Sequence, residues 1–246
     1  MLRTTLMGLF FGTIGTTFGG ILGIICKKNS NKFLSFVLSF ASGLMLSVVC
    51  FSLIPEALKV IDATTAVIGI IVGIICMIVC ESIVNNKIKI DKTKTENNKL
   101  KILKTGIIVS IGLAIHNIPE GIAIGSGFDE SMKLGLSLAI AICLHDVPEG
   151  LSMAIPMKHG GMKPWKIMLY VVLSGIATGF GALIGAFVGN ISIEVVAMCL
   201  SFAAGAMLYI VSGELIPEYN YLYHGRLSAL GNMAGFIIGL LAMILF

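Results

Sequence analysis

The chain has 246 residues, of which 57% are hydrophobic and 12% charged, with a formal net charge of +4, and its mean hydropathy is +0.99. Soluble domains carry about 25% charged residues, and a chain of this size leaves much of its surface exposed, so this much apolar surface cannot be kept from water. Composition therefore excludes a soluble globule and points to an integral membrane protein; the small positive excess lies in connections and gives no footing for nucleic-acid binding.

A bilayer core of about 30 Å takes about 20 apolar residues per helix. Charge-poor windows of that order fall at 4–26, 33–55, 63–80, 106–127, 134–157, 167–193, 195–213 and 227–246. The fourth is interrupted by His116 and Glu120, the fifth by His145, Asp146 and Glu149. Membrane barrels alternate apolar and polar residues in short strands, so these continuous runs predict helices. The first window lies where a signal peptide would, but it is long, Gly-rich and lacks a clear small-residue cleavage site, and it is read as a helix.

Lysine and arginine distribute unevenly between the two faces. Connections 1–2, 3–4, 5–6 and 7–8 hold all of them except Arg3, Lys59 and Lys133. The basic face is cytoplasmic by the positive-inside rule, which places both termini outside. The polar 3–4 connection, about 85–104, reads as a solvated topogenic loop, with contact to anionic lipid as the alternative. Cys26, Cys50, Cys76, Cys80, Cys143 and Cys199 form no CxxC pair and read as structural.

The second and seventh windows match without gaps. Residues 39–56 read SFASGLMLSVVCFSLIPE and residues 201–218 read SFAAGAMLYIVSGELIPE, identical at 11 of 18 positions at an offset of 162. The same offset aligns Phe18 with Phe180, Gly19 with Gly181, Gly23 with Gly185, Gly69 with Gly231 and Gly73 with Gly235. Spans 1–3 therefore correspond to spans 6–8, in opposite orientation, a recurring feature of secondary transporters. Spans 4 and 5 lie between the copies and are expected at the centre.

Those two spans carry the chemistry. His116-Asn117-Ile118-Pro119-Glu120-Gly121 recurs at an offset of 29 as His145-Asp146-Val147-Pro148-Glu149-Gly150. An ionised side chain near the bilayer centre costs about 2.5–3.5 kcal/mol on insertion scales, so this many ionisable groups require a compensating partner. His116 with Glu120, and His145 with Glu149, are each four residues apart and share a helix face. Two such faces opposed offer two imidazoles and two carboxylates to one cation, a set suited to Zn²⁺ and also to Fe²⁺, Mn²⁺, Co²⁺ or Cd²⁺. Asn117 and Asp146, about 100° further round, suit an adjacent second position with Glu120 and Glu149 shared. Pro119 and Pro148 are expected to free backbone carbonyls and kink the helices near the ligands.

Other residues divide between bland and functional readings. Pro55-Glu56 and Pro217-Glu218 mark span ends, whereas Glu214 stands equally between a helix terminus and a functional acid. Gly125-Ser126-Gly127 is read as a turn and His159-Gly160-Gly161 as a loop. No Walker motif is present, so an ATP-driven pump is not expected.

HNIPEG in span 4, HDVPEG in span 5 and AGAMLYIVSGELIPE in span 7 resemble the signature of the ZIP (Zrt-/Irt-like protein) family of divalent metal transporters, in its prokaryotic broad-specificity branch. The resemblance covers most of the chain. It implies a primary site of His116, Glu120, His145 and Glu149 and a second site of Asn117, Asp146 and the two shared glutamates. It also brings Met45 towards the primary site, Ser52 to the pathway, and Glu214 and Glu218 to the cytoplasmic exit. The implied activity is metal movement into the cytoplasm by a rocking, elevator-like motion of one helix bundle. One departure concerns span 6: residues 174–182 read SGIATGFGA, where relatives read SGxxEPxGA. Thr178 replaces the family glutamate, so the second site loses a carboxylate. Restoring one by Thr178→Glu is expected to alter metal affinity more than stability.

The expectation is thus an all-α integral membrane protein of eight helices, a single transporter domain over 1–246, with spans 1–3 and 6–8 arranged around spans 4 and 5. It is a multi-pass cell-membrane transporter rather than an enzyme and has no prosthetic group. Its partners are the transported divalent ion, foremost Zn²⁺, and membrane lipid, and a homodimer is compatible with this reading. The alternative is a membrane-embedded metal-dependent hydrolase in which a glutamate acts as general base, against which the absence of HExxH weighs.

Overall fold

The computed structural model describes residues 2–25, 30–87, 97–130, 132–187 and 192–245. Among these the chain is helical with short connections: α1 (Leu2–Ile25), α2 (Asn31–Leu58), α3 (Ala63–Lys87), α4 (Asn97–Glu130), α5 (Met132–His159), α6 (Pro164–Phe187), α7 (Ile193–Leu222) and α8 (Arg226–Leu245). The first seven each contain an apolar stretch of at least 22 residues. The eighth has 20 residues, enough for about 30 Å of rise, although its apolar stretch Arg226–Ala242 is shorter. Isoleucines and valines of α3 such as Ile68, Val72, Ile75 and Val79 are about half exposed. In water that would be unfavourable; in a bilayer it is the lipid-facing surface.

Local chemistry fixes the helix starts. Ser30 caps α2, its hydroxyl accepting from the Phe33 N–H at 3.3 Å. Asp62 caps α3, taking the Thr64 and Thr65 N–H groups at 2.9 and 3.1 Å and the Thr65 hydroxyl at 2.6 Å; that hydroxyl first of all holds the Asp62 carboxyl below its usual range. The α5–α6 turn is closed by the Gly160 N–H on the Pro156 carbonyl and the Met162 N–H on the Met157 carbonyl. Gly161 stands there at φ 87°, a conformation that favours glycine.

Several expected boundaries move. Glu81 does not stop α3, and α4 begins at Asn97, so Lys99, Lys101 and Lys104 are helical. Charged side chains end a hydrophobic window without ending a helix, because the helix needs only its backbone bonds. Residues 88–96 of the expected polar connection lie outside the described residues, as do Cys26, Lys27 and Lys28. Gly125-Ser126-Gly127 lies inside α4 rather than in a turn, and His159 is the last residue of α5.

Both α4 and α5 run helical through Pro119 and Pro148. Widened turns stand before Pro55 and Pro217. Val49–Leu53 in α2 and Ile210–Leu215 in α7 are π-helical, and there the Ile54 N–H reaches Val49 and the Ile216 N–H reaches Val211, five residues back. A proline cannot donate to the turn before it and crowds that turn's carbonyl; widening the turn relieves both. The offset of 162 relates Val49–Leu53 to residues 211–215.

The helices form two groups of four. α1, α4, α5 and α6 pack on one another, α2 packs on α8 and α3 on α7, and the groups meet chiefly where α4 touches α7 and α2 touches α5. Glycines set the closest approaches. A Cβ on Gly121 of α4 would collide with the Thr178 carbonyl of α6, and a Cβ on Gly150 of α5 with the Thr16 carbonyl of α1. In the second group, Gly43 meets the Asn232 carbonyl and Gly205 the Ile70 carbonyl in the same way. Thr16 and Thr178, Gly43 and Gly205, and Ile70 and Asn232 are each 162 apart, so equivalent sequence positions make equivalent contacts. Membrane helices lack a hydrophobic drive towards each other and associate through such close backbone packing.

Candidate metal centre

His116, Asn117 and Glu120 project from α4, and Asp146 and Glu149 from α5; each is at most 1% exposed. The four-residue spacing brings Nε2 of His116 to 2.8 Å from Oε1 of Glu120. The packing of α4 on α5 brings the same nitrogen to 3.6 Å from Oε1 of Glu149. Both carboxylates therefore stand on the same side of the imidazole. On the other side of the ring, Nδ1 lies 3.2 Å from the Ala203 carbonyl of α7. A carbonyl only accepts, so Nδ1 carries a proton, and Nε2 is the nitrogen turned to the two carboxylates. A backbone carbonyl orienting the far nitrogen is the usual arrangement around a metal-binding histidine.

Asp146 lies within electrostatic reach of Glu149 and Glu120. Three buried carboxyl groups and one described imidazole make a strongly electronegative cluster, and a dication is the economical counter-charge at that depth. The side chain of His145 lies outside the described residues, so α5 contributes Asp146 and Glu149 to the described geometry. Among the described residues, no three His, Cys, Asp or Glu side chains already converge as a metal site.

Asn117 is held by α6. Its Nδ2 donates to the Ser174 carbonyl at 3.0 Å and to the Ser174 hydroxyl at 3.2 Å, while its buried Oδ1 has no hydrogen-bond partner. Thr178, one turn beyond Ser174, is fully buried and its hydroxyl also lacks a partner. Its side chain abuts α1: a Cβ on Gly12 would lie 2.7 Å from Thr178 Oγ1 and Cγ2. Asp146 is likewise backed by α1, since a Cβ on Gly15 would lie 2.7 Å from the Asp146 Cβ.

The remaining candidates lie on α2 and α7. Met45 is 1% exposed in the main apolar core, with no described polar contact to His116. Ser52 is in the π-helical segment of α2 and half-buried. Glu214 is in the π-helical segment of α7, within electrostatic reach of Glu81, Lys104 and Glu218. The Tyr209 hydroxyl donates to Glu81. Glu218 is 3% exposed, faces Lys101, and keeps one carboxylate oxygen without a partner; Glu56, its counterpart at the offset of 162, is exposed and pairs with Lys59 at 2.6 Å. Sequence reasoning missed Ala203 and Ser174 as supports of His116 and Asn117. Their only signal was their position, in the SFAAG segment of the repeat and at the head of SGIATGFGA.

A model of a family described as ZIP Zinc transporter matches residues 87–246. A protein named zinc transporter ZupT from Corynebacterium aurimucosum is 31% identical over 247 residues, covering 95% of this chain and 93% of the relative. One of the same name from Clostridium perfringens is 30% identical over 279 residues, covering 100% of this chain and 96% of the relative. The human protein named zinc transporter ZIP11 is 34% identical over 138 residues, covering 53% of this chain and 40% of that relative.

Proposed function

We propose that this chain, which belongs to the ZIP family of zinc transporters, carries a divalent metal ion across the membrane through the buried cluster on α4 and α5. One observation carries the reading: His116 is fixed through Nδ1 by the Ala203 carbonyl while its other nitrogen faces Glu120 and Glu149. That geometry sets one ring nitrogen beside two carboxylates deep in the protein, a donor set that suits a dication. Membership in a family of transporters sets the hydrolase alternative aside, and the chain is read as a transporter rather than an enzyme.

In this reading His116, Glu120, His145 and Glu149 hold the primary ion, with zinc foremost and iron, manganese, cobalt and cadmium as further substrates. Asn117 and Asp146 extend the cluster to an adjacent position, for which Oδ1 of Asn117 is available. Thr178 supplies no carboxylate there. The four-helix group α1, α4, α5 and α6 holds all of these residues, while α7 of the other group touches His116. Movement of one group against the other would carry the ion and break the Ala203 contact. Both termini lie outside and transport runs towards the lysine-rich face, where Glu214 and Glu218 stand. The unit sits in lipid, and a homodimer is compatible with it.

Purified chain in proteoliposomes, loaded with a metal-sensitive dye and offered zinc, iron, manganese, cobalt and cadmium in turn, tests the reading. Zinc-dependent signal abolished by Glu149→Ala supports it. Equal signal from wild type, variant and empty vesicles overturns it.

A further inference from the structure

At the lysine-rich end, a cavity of about 660 Å³ opens between the starts of α2 and α4 and the ends of α5 and α7. Lys99, Lys158, His159, Asn31 and Tyr221 line it, and no acidic side chain does so among the described residues. The Lys158 ammonium is anchored by donating to the Ile24 carbonyl at 2.6 Å, at the last turn of α1. Both Lys99 and Lys158 bring positive charge to bear on His159. A third lysine, Lys101, stands at the rim, 4.8 Å from the centre of the Tyr221 ring.

This wall is donor-rich: ammonium groups, an imidazole, an amide and a phenol. Crowded cations repel one another, and an anion between them turns that repulsion into attraction. Tetrahedral oxyanions accept several charge-assisted bonds at once, which suits spread ammonium donors. A metal dication would be repelled here, so the cavity is no station on the ion's path. Its lining comes from both four-helix groups, α4 and α5 from one and α2 and α7 from the other. An occupant that touches both favours the arrangement in which the two walls are near.

We propose that this cavity binds a phosphate-bearing anion and thereby bridges the two helix groups at the lysine-rich end. An anionic phospholipid headgroup and a free phosphate compound share that chemistry. The inference is independent of which metal is carried.

The test uses the full chain without added metal in nanodiscs. One arm compares phosphatidylcholine with phosphatidylcholine plus phosphatidylglycerol; the other adds inorganic phosphate against chloride at equal ionic strength to phosphatidylcholine discs. Thermal unfolding is read in each. A rise in Tm with phosphatidylglycerol alone identifies a lipid headgroup, and a rise with phosphate identifies a soluble ligand; either supports the site. Lys99→Gln with His159→Gln should remove most of the rise, with binding weakened about fivefold for the lost ammonium and further for the lost imidazole donor. The control pair Lys163→Gln with Lys166→Gln, exposed outside the cavity, should retain it. If the double variant does not fold, Lys99→Gln alone takes its place, since that side chain is exposed. No shift for wild type in either arm, or an equal loss in the control pair, overturns the proposal.

Discussion

The Ala203 carbonyl of α7 lies 3.2 Å from Nδ1 of His116 on α4, so a backbone group of one helix group orients a buried imidazole of the other. The pair are 87 positions apart and meet where the groups touch. A bulkier side chain at Ala203, which is fully buried, should lift His116 off this carbonyl. Ala203→Leu is expected to lower stability by about 1–3 kcal/mol and to weaken zinc binding by calorimetry. Unchanged zinc affinity in a folded variant would show that the Ala203 contact does not position the ligand.

Glu120→Ala and Glu149→Ala should each cut zinc uptake by more than about a hundredfold, because removing one partner of a buried charge cluster costs about 3–5 kcal/mol. Radiotracer uptake at matched membrane expression checks this. Uptake close to wild type by either variant would take that carboxylate out of the pathway.

Gly121→Ala should force α4 and α6 apart, since its Cβ would collide with the Thr178 carbonyl and lie 2.8 Å from the Ala182 nitrogen. A loss of about 1–3 kcal/mol is expected, with uptake falling as Glu120 shifts. Gly213→Ala meets only the Tyr209 ring at 3.5 Å and beyond, an ordinary contact, and should be tolerated. Thermal unfolding of the two variants side by side gives the comparison; equal Tm values would refute the close-packing account.

For Thr178, the packing alters the expectation drawn from the sequence. The hydroxyl is buried without a partner, so Thr178→Val should leave Tm unchanged or raise it. Thr178→Glu should lower Tm, because the longer side chain meets Gly12 of α1, and should also change the zinc-against-manganese competition ratio. A Glu variant with wild-type stability and an unchanged ratio would place this side chain away from both α1 and the metal.

The connection over 88–96 is expected on the cytoplasmic side. A cysteine introduced at Asn97, in a background without the six native cysteines, should resist an impermeant thiol reagent in intact cells and react once the cells are opened. Labelling before permeabilisation would reverse the orientation.

The sequence alone determined the class, the helical columns and the pairing of His116 with Glu120 on one helix face. Those properties are local: an apolar window reports the solvent around a helix, and a four-residue spacing puts His116 beside Glu120 on any helix. The duplicated HNIPEG and HDVPEG motifs added the second carboxylate, Glu149, because a repeat argues that both copies serve one purpose. Helix ends were less legible, since Lys99, Lys101 and Lys104 close a hydrophobic window without breaking backbone bonds. Only the tertiary structure decided that Ala203 steadies His116, that Ser174 holds Asn117, and that Thr178 packs on Gly12. Each of these partners lies far away in the chain, and their meeting depends on how deeply glycine-lined helices approach one another. That depth is a property of two surfaces together, and no single stretch of sequence contains it.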